Sequence, residues 1–399
     1  MGLNQTPSAE RRHIGFFGRR NAGKSSVVNA VTGQQLSIVS DIKGTTTDPV
    51  SKTMELLPIG PVVIIDTPGI DDTGELGEER IRRTYQVMNK TDIALLIVDG
   101  TKGMDDYDRK LVAMLKEKNI PYQIVYNKCD LVNGGYEAAD PENVIRVSAR
   151  TGQGIEELKN RIGKLADTKE TERKIVSDLI KRGDLIVLVV PIDESAPKGR
   201  LILPQQQTIR DILDAGAVAV VVKDTELRDS LQSLGKKPAM VITDSQVFGT
   251  VSKVVPEDIP LTSFSILFAR YKGNLGLAVE GVRVLEKLKE GDRILISEGC
   301  THHRQCNDIG AVKIPNWIEE YTGKHFKYSW TSGGEFPEDL GEYQLVIHCG
   351  GCMLSEREMR YRYRHAGDQE IPMTNYGILI AGMKGILARS TRIFPGILE

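Results

Sequence analysis

The 399-residue chain has no apolar run of the roughly 20 residues that a bilayer-spanning helix requires. Its opening stretch, MGLNQTPSAERRH, is polar and holds no apolar segment of the kind a secretory leader carries. Met1-Gly2 begins a myristoylation-like pattern, but Pro7 and the want of a second membrane signal favour an ordinary N-terminus. The expectation is a cytoplasmic protein with no membrane partner. The chain also lacks an excess of charge. A formal net charge of −2 gives no basic field for nucleic acid or an anionic surface. An even set of cysteines is missing too, and five in a reducing compartment argue against a disulfide framework. No repeat or low-complexity tract is visible.

What is present is ordinary in bulk and specific in detail. Forty per cent apolar and 27% charged residues suit a soluble globular chain, and the length calls for two or three domains. HIGFFG (13–18), PVVIIDTPG (61–69), IALLIVDG (93–100) and YQIVYNKCD (122–130) read as strands, with a helix from Ser25. Continuous Val/Ile/Leu runs suit a parallel sheet covered on both faces, and their alternation with helices predicts a doubly wound α/β domain. A helix over 154–166 and the charged stretch DTKETERKI close this segment. A second alternation follows, with strands at 183–191, 217–222 and 238–243, helices at 205–216 and 225–234, and a further helix expected over 244–254. It carries no nucleotide motif. The last segment predicts a helix over 277–288, then strands GDRILISEG (291–299) and EYQLVIHCGGC (342–352), each running into cysteine. Helices over 314–323 and 355–367 complete it.

Gly18-Arg19-Arg20-Asn21-Ala22-Gly23-Lys24-Ser25 fits the phosphate-loop pattern G-x-x-x-x-G-K-S/T, between a strand and a helix. Backbone N–H groups through Ser26 would cradle phosphates, Lys24 would reach the β and γ groups, and Ser25 would offer its hydroxyl to Mg²⁺. Asp66-Thr67-Pro68-Gly69 ends a strand where a metal-linked aspartate and a γ-phosphate sensor are needed. Asn127-Lys128-Cys129-Asp130 resembles the guanine-specifying N-K-x-D, with Asp130 accepting from the N1–H and N2–H₂ edge that adenine lacks. Ser148-Ala149-Arg150 resembles the S-A-K/R loop over the base. Four motifs in order, each at a strand end, point to GTP and GDP as ligands.

Gly44-Thr45-Thr46-Thr47-Asp48 resembles the G-T-T-x-D switch of the TrmE–Era–Septin-like GTPases. That resemblance implies Thr46 on Mg²⁺ and a K⁺ site at Asn21. Ile70 stands where Ras-like enzymes carry a water-positioning glutamine. Slow intrinsic hydrolysis, modulated by K⁺ or dimerisation, is the expectation, since phosphoryl transfer depends mostly on positioning and charge neutralisation.

Cys300-Thr301-His302 and His348-Cys349-Gly350-Gly351-Cys352 form the second constellation. Both lie at the carboxyl ends of expected strands, where open α/β sheets collect ligands. Three thiols with histidines nearby suit an iron–sulfur cluster, zinc, or buried free thiols; the residues alone leave these open. The radical-SAM pattern C-x₃-C-x₂-C is absent.

Over its whole length the chain resembles the [FeFe]-hydrogenase maturation GTPases, on the motifs C-x-H and H-C-x-x-C together with the TrmE-like G domain. The two motifs are separated by 45 residues (303–347), one short of the family's range. The resemblance implies a P-loop GTPase domain (1–168), an α/β dimerisation domain (169–262) and an α/β cluster-binding domain (263–399). It implies a [4Fe-4S] cluster on Cys300, Cys349 and Cys352, with His302, His348, a carboxylate or water at the fourth iron, or with the two histidines behind the ligands instead. Thr46, Asp66, Gly69 and Lys24 would serve GTP hydrolysis. The implied role is a scaffold that receives a diiron precursor from two radical-SAM enzymes and passes it to the apo-hydrogenase, as a homodimer and without nucleic acid. The rival expectation is a GTPase of tRNA modification or ribosome assembly with zinc at the C-terminus. A third is a passive iron–sulfur scaffold that binds GTP without turning it over.

Overall fold

Each central strand of the first part sends alternate side chains to opposite faces, and each face has its own core. Ile14 and Phe16, Val62 and Ile64, and Ile93, Leu95 and Ile97 pack on one side. Phe17, Val63 and Ile65, and Ala94, Leu96 and Val98 pack on the other. Period-two alternation with both sets apolar can only be satisfied by helices on both faces. The computed structural model shows that arrangement, and describes residues 8–34, 50–57, 59–67, 75–132, 143–166, 173–192, 201–299 and 308–397. The chain divides into two units, Met1–Glu170 and Thr171–Glu399.

The first unit contains β1 (Arg12–Phe17), β2 (Val50–Leu56), β3 (Gly60–Asp66), β4 (Ile93–Asp99), β5 (Tyr122–Asn127) and β6 (Val144–Arg146). Their order is β2-β3-β1-β4-β5-β6, parallel except for β2 against β3. Helices α1 (Lys24–Thr32), α2 (Glu75–Lys90), α3 (Asp106–Glu117) and α4 (Ile155–Ala166) alternate with them. This is the expected α/β fold. The strands β2 and β6 were not anticipated. The former reads VSKTMEL, whose mixed pattern suits a pair with one covered face, and the latter is only three residues long.

The second unit holds two four-stranded parallel sheets over one continuous core. The first comprises β7 (Leu185–Val189), α5 (Leu203–Asp214), β8 (Val218–Val222), α6 (Leu227–Ser233), β9 (Met240–Thr243), α7 (Phe248–Val254), β10 (Leu261–Ser263) and α8 (Phe264–Lys272). After α9 (Leu275–Val282) the second comprises β11 (Arg293–Glu298), α10 (Ile314–Thr322), β12 (Lys327–Ser332), β13 (Leu345–His348), α11 (Glu356–Asp368), β14 (Met373–Asn375) and α12 (Tyr376–Met383), with α13 (Leu387–Thr391) last. The orders are β10-β9-β7-β8 and β14-β13-β11-β12. Strand for strand these are the same topology, so the unit is a structural repeat that the sequence does not display. Both halves end on a three-residue strand whose last side chain caps a buried helix. Ser263 Oγ accepts from Ile266 N at 3.3 Å, and Asn375 Oδ1 from Ile378 N at 2.9 Å.

The helix expected over 277–288 begins earlier and ends sooner. Asn274 caps it by accepting from Leu277 N at 3.1 Å, and after Val282 the chain tightens into a 3₁₀ turn over Arg283–Lys287. This helix meets β14 through Gly281, where an added Cβ would stand 2.4 Å from the Met373 carbonyl oxygen. Replacing a helical glycine by alanine ordinarily gains about 1 kcal/mol. Here the clash is with strand backbone that cannot rotate aside, so overpacking prevails. Gly281→Ala is expected to destabilise this unit by about 1–3 kcal/mol in a urea unfolding series. An unmoved midpoint would show that the β14 backbone yields.

Candidate functional site

The phosphate loop begins where β1 stops. Gly18 has φ 132°, and a Cβ there would lie 2.2 Å from the Ile97 carbonyl oxygen, so only glycine lets the loop leave the sheet beside β4. Asn21 is left-handed at φ 64°. Gly23 is also left-handed, at φ 89°, and its Cβ would meet Asn127 Nδ2 at 2.2 Å. Lys24 is buried and folds back over the loop, donating to the carbonyls of Gly18 and Arg19 at 2.8 Å each. Ser25 Oγ donates to Asp66 Oδ2 at 3.2 Å. The other oxygen, Asp66 Oδ1, is buried and has no hydrogen-bond partner among the described residues. Burial pushes the Asp66 carboxyl up, opposed by Lys24 and the Ser25 hydroxyl. An orphaned carboxylate oxygen beside a serine hydroxyl is a donor set suited to a hard divalent cation such as Mg²⁺, and the Lys24 ammonium next to it suits an anion. Ser26 is exposed in the first turn of α1.

The base-side motifs hold the phosphate loop as well. Asn127 is buried; its Nδ2 donates to the Ala22 carbonyl at 3.1 Å, and its Oδ1 accepts from Ala149 N at 3.1 Å. One side chain therefore ties the phosphate loop to the Ser148-Ala149 loop. Lys128, left-handed at φ 66°, donates to the Asn21 carbonyl at 2.8 Å and pairs with Asp99 at 2.6 Å. Asp99, at the end of β4, was missed in the sequence. Its only signal was its place at the end of IALLIVDG. Ser148 is buried, and its Oγ accepts from Thr151 N at 3.1 Å. Asp130 stands exposed in the turn Cys129–Leu131. Thr67 fastens β3 to β1, donating through Oγ1 to the Phe16 carbonyl at 2.7 Å. Thr46 and Gly69 lie outside the described residues, as do Cys300 and His302.

At the second site β11 and β13 pair in parallel, with Ser297 opposite His348, and Cys349 N continues the ladder onto the Ser297 carbonyl at 2.9 Å. Cys349 Sγ accepts from Gly299 N at 3.0 Å and Gly351 N at 3.4 Å. Gly351 is left-handed at φ 63°, and a Cβ there would press on Met359 Sδ at 2.5 Å. Burial pushes the Cys349 thiol up to about 11, and the two N–H donors oppose that. Cys352 is pushed up by burial too, opposed first by Lys272. Lys272 Nζ donates to the carbonyls of Cys352 and Leu354 at 3.0 Å each.

His348 is fully buried, with Nδ1 placed to donate to the Cys349 carbonyl at 2.7 Å and Nε2 to accept from Arg362 at 2.9 Å. Burial, then Arg362, holds its pKa down near 3, so the ring is neutral. With both nitrogens engaged it braces the cysteine turn against Arg362. Arg362, likewise fully buried, also bonds Glu358, Ser297 and the Gly333 carbonyl, and lies 5.0 Å from the Phe336 ring centre. Sequence reading had no signal for it. Among the described residues no three His, Cys, Asp or Glu side chains are grouped to hold a metal. The pair that is described does suit a metal–sulfur centre, because N–H groups aimed at one sulfur favour its anionic form.

Known proteins resemble the chain in three segments. Residues 13–128 match the model of the 50S ribosome-binding GTPases, residues 175–273 the hydrogen maturase F dimerization domain, and residues 276–393 the hydrogen maturase F tetramerization domain. A tRNA modification GTPase MnmE of Laribacter hongkongensis is 39% identical over 153 residues, 38% of this chain and 34% of that protein. The MnmE of Dechloromonas aromatica is 31% identical over 227 residues, 56% of this chain and 47% of that protein. The chain thus spans about a third to a half of the length of these curated relatives. The solved structure of a point variant of Aquifex aeolicus Era, bound to GDP.AlF4-, aligns over 56% of this chain and 98% of its own, at 21% identity and a TM-score of 0.35.

Loss of the Asn127 tie leaves a carbonyl and an N–H without their partner in two loops at once. Asn127→Ala is expected to weaken GDP binding at least about tenfold, the effect of roughly 1.4 kcal/mol. Titration with a fluorescent guanine nucleotide reads this directly, and an unchanged Kd would show that the two loops hold their places without the tie.

Behind a TrmE-like GTPase domain, two adjoining models of one family together match more than half of the sequence, and the chain belongs to the hydrogen maturase F family.

Proposed function

We propose that this chain hydrolyses GTP and serves as an iron–sulfur scaffold for assembly of the [FeFe]-hydrogenase active site, in the cytoplasm. The observation that carries the scaffold half is the cysteine turn after β13, where two backbone N–H groups converge on Cys349 Sγ at the carboxyl ends of neighbouring parallel strands. Cys349 and Cys352, with Cys300 after β11, would hold a [4Fe-4S] cluster. When bound, that cluster supplies an iron to which a diiron precursor can bridge. His348 is committed to Arg362 and the Cys349 carbonyl. The fourth iron is therefore left to His302, a carboxylate, water or the cargo.

In the G domain, Lys24 would exchange the Gly18 and Arg19 carbonyls for β and γ oxygens of the nucleotide. Mg²⁺ bound by Ser25 and Thr46, with Asp66 alongside, would neutralise charge on the phosphates. Gly69 would present its N–H to the γ-phosphate. Water attacks the γ-phosphorus, the bond to the bridging oxygen breaks, and GDP and phosphate leave. Asp130 would read guanine, while Asn127 and Lys128 keep the two loops together. Asn21 is the proposed K⁺ ligand.

The partners proposed are two radical-SAM enzymes that build the precursor and the apo-hydrogenase that receives it. The chain would act as an oligomer. β8 hydrogen-bonds only to β7 among the described residues, and Val218 and Val221 on it are 50% and 45% exposed. An apolar open edge is a template for a second copy of the same strand. The matched dimerization and tetramerization models support assembly beyond the homodimer that was expected.

Anaerobic reconstitution with iron and sulfide tests the scaffold. About four irons per chain and a reduced-cluster EPR signal are expected, both lost in Cys349→Ala; stoichiometric zinc with no paramagnetic centre would overturn it. The GTPase half is tested by turnover in K⁺ against Na⁺. Faster hydrolysis in K⁺, abolished in Lys24→Ala, is the expected result, and binding without turnover in either salt would reduce the G domain to a nucleotide sensor.

A further inference from the structure

Two buried cations stand on the cysteine turn, from different parts of the unit. Arg362 reaches it through His348, and its charge is shared with the buried carboxylate of Glu358 at 3.0 Å. Lys272 reaches it directly. It is the last residue of α8, only 2% exposed, and its ammonium donates to the carbonyl of Cys352 itself and to that of Leu354, two residues on. Residue 272 falls in the segment matched by the dimerization model, whereas Cys352 falls in the tetramerization segment. A positive charge in a low-dielectric site acts on a neighbouring anion far more strongly than at the surface.

We propose that Lys272 is an electrostatic tuning residue for the cluster on Cys300, Cys349 and Cys352, and that its charge favours the reduced form. This rests on the cluster reading above. Reduction adds one electron to an already anionic thiolate-bound centre. A fixed cation beside one ligand stabilises that added charge, and net charge around a cluster is one of the terms that set its potential. The middle half of the unit thereby acts on a metal site that it does not itself ligate.

The repeat supplies a control. Lys384 follows α12 as Lys272 ends α8, and its stem lies 3.9 Å from where a Gly249 Cβ would be, at the start of α7 after β9. That is the corresponding helix end, in the half without Cys349 and Cys352.

The full-length wild type, Lys272→Gln, Lys272→Arg and Lys384→Gln are reconstituted anaerobically, and iron and sulfide content are measured. Each is then titrated with dithionite while the EPR signal is followed. Lys272→Gln retains a donor for the two carbonyls but not the charge. It is expected to disfavour the reduced state about tenfold, a midpoint lower by about 59 mV for one electron. Lys272→Arg and Lys384→Gln are expected to stay at the wild-type midpoint. If thermal unfolding shows that Lys272→Gln does not fold, Lys272→Met is read in the same way. A loaded Lys272→Gln protein with an unmoved midpoint overturns the inference, as does an equal shift in Lys272→Arg, which would mean packing rather than charge. A wild type that takes up no cluster overturns the cluster reading, and this inference with it.

Discussion

Parallel strand pairing in a fixed register sets where every functional side chain of this protein can be. In the first unit Phe16 lies opposite Asp66 and Phe17 opposite Leu96, so the phosphate loop, Asp66 and the end of β4 emerge along one edge of the sheet. In the second unit Ser297 lies opposite His348, and the next N–H, that of Cys349, bonds back to Ser297. A slip of one residue in either sheet would turn every side chain to the other face. The apolar cores on both faces prevent that slip, so the chemistry at the strand ends inherits its geometry from Val, Ile and Leu residues that never touch a ligand.

Strand ends alone do not give a rigid site, because loops leave backbone groups to be satisfied. In the first unit the N-K-x-D segment meets that need. Asn127 and Lys128 bond the Ala22 and Asn21 carbonyls and so turn a base-recognition motif into a brace for the phosphate loop. At the cysteine turn the comparable work falls to ionic side chains. A guanidinium and an ammonium are removed from water there. Each such group costs several kcal/mol unless its donors are matched. Arg362 meets that condition with Glu358, Ser297, His348 and the Gly333 carbonyl, and Lys272 with two carbonyls. Positive charge so placed is too expensive to maintain by chance of packing beside apolar strands. For Arg362 the buried counter-charge is the Glu358 carboxylate.

Much of this was legible in the residues. The G motifs have fixed spacings tied to strand ends, and their meaning is local: a glycine that must turn, a lysine that follows it, an aspartate that closes a strand. Gly18, Lys24, Asn127 and Asp130 could be placed for that reason. The pairing of Asp99 with Lys128 could not, since 29 residues separate them and an aspartate ending a strand is commonplace. His348 was visible but its direction was not. A histidine beside a cysteine does not show in the sequence that Arg362 and the Cys349 carbonyl will engage its two nitrogens. Lys272 lies 80 residues from Cys352 and ends a helix, where a lysine needs no further reason. Strands β12 and β14 and helix α12 escaped notice because KYSWTS alternates weakly, MTN is too short, and YGILIAGM is apolar on every side.

The repeat was invisible for a more general reason, and it explains why Lys272 sits where it does. Two halves with the same strand order need share only the pattern of buried positions, and many sequences satisfy one pattern. What the repetition fixes is the packing: the helix after the fourth strand of each half ends against the segment that leads on from the third strand of the other. For α8 that segment is the turn Cys349–Leu354, and for α12 it is the start of helix α7 at Gly249. A lysine lies at both helix ends, but only one of the two segments carries thiols. The fold therefore ends the corresponding helix of each half beside a lysine, and Lys272 bonds the turn that carries Cys352. The lysine at that helix end belongs to the architecture of the unit, and the thiols beside it are what distinguish one half from the other.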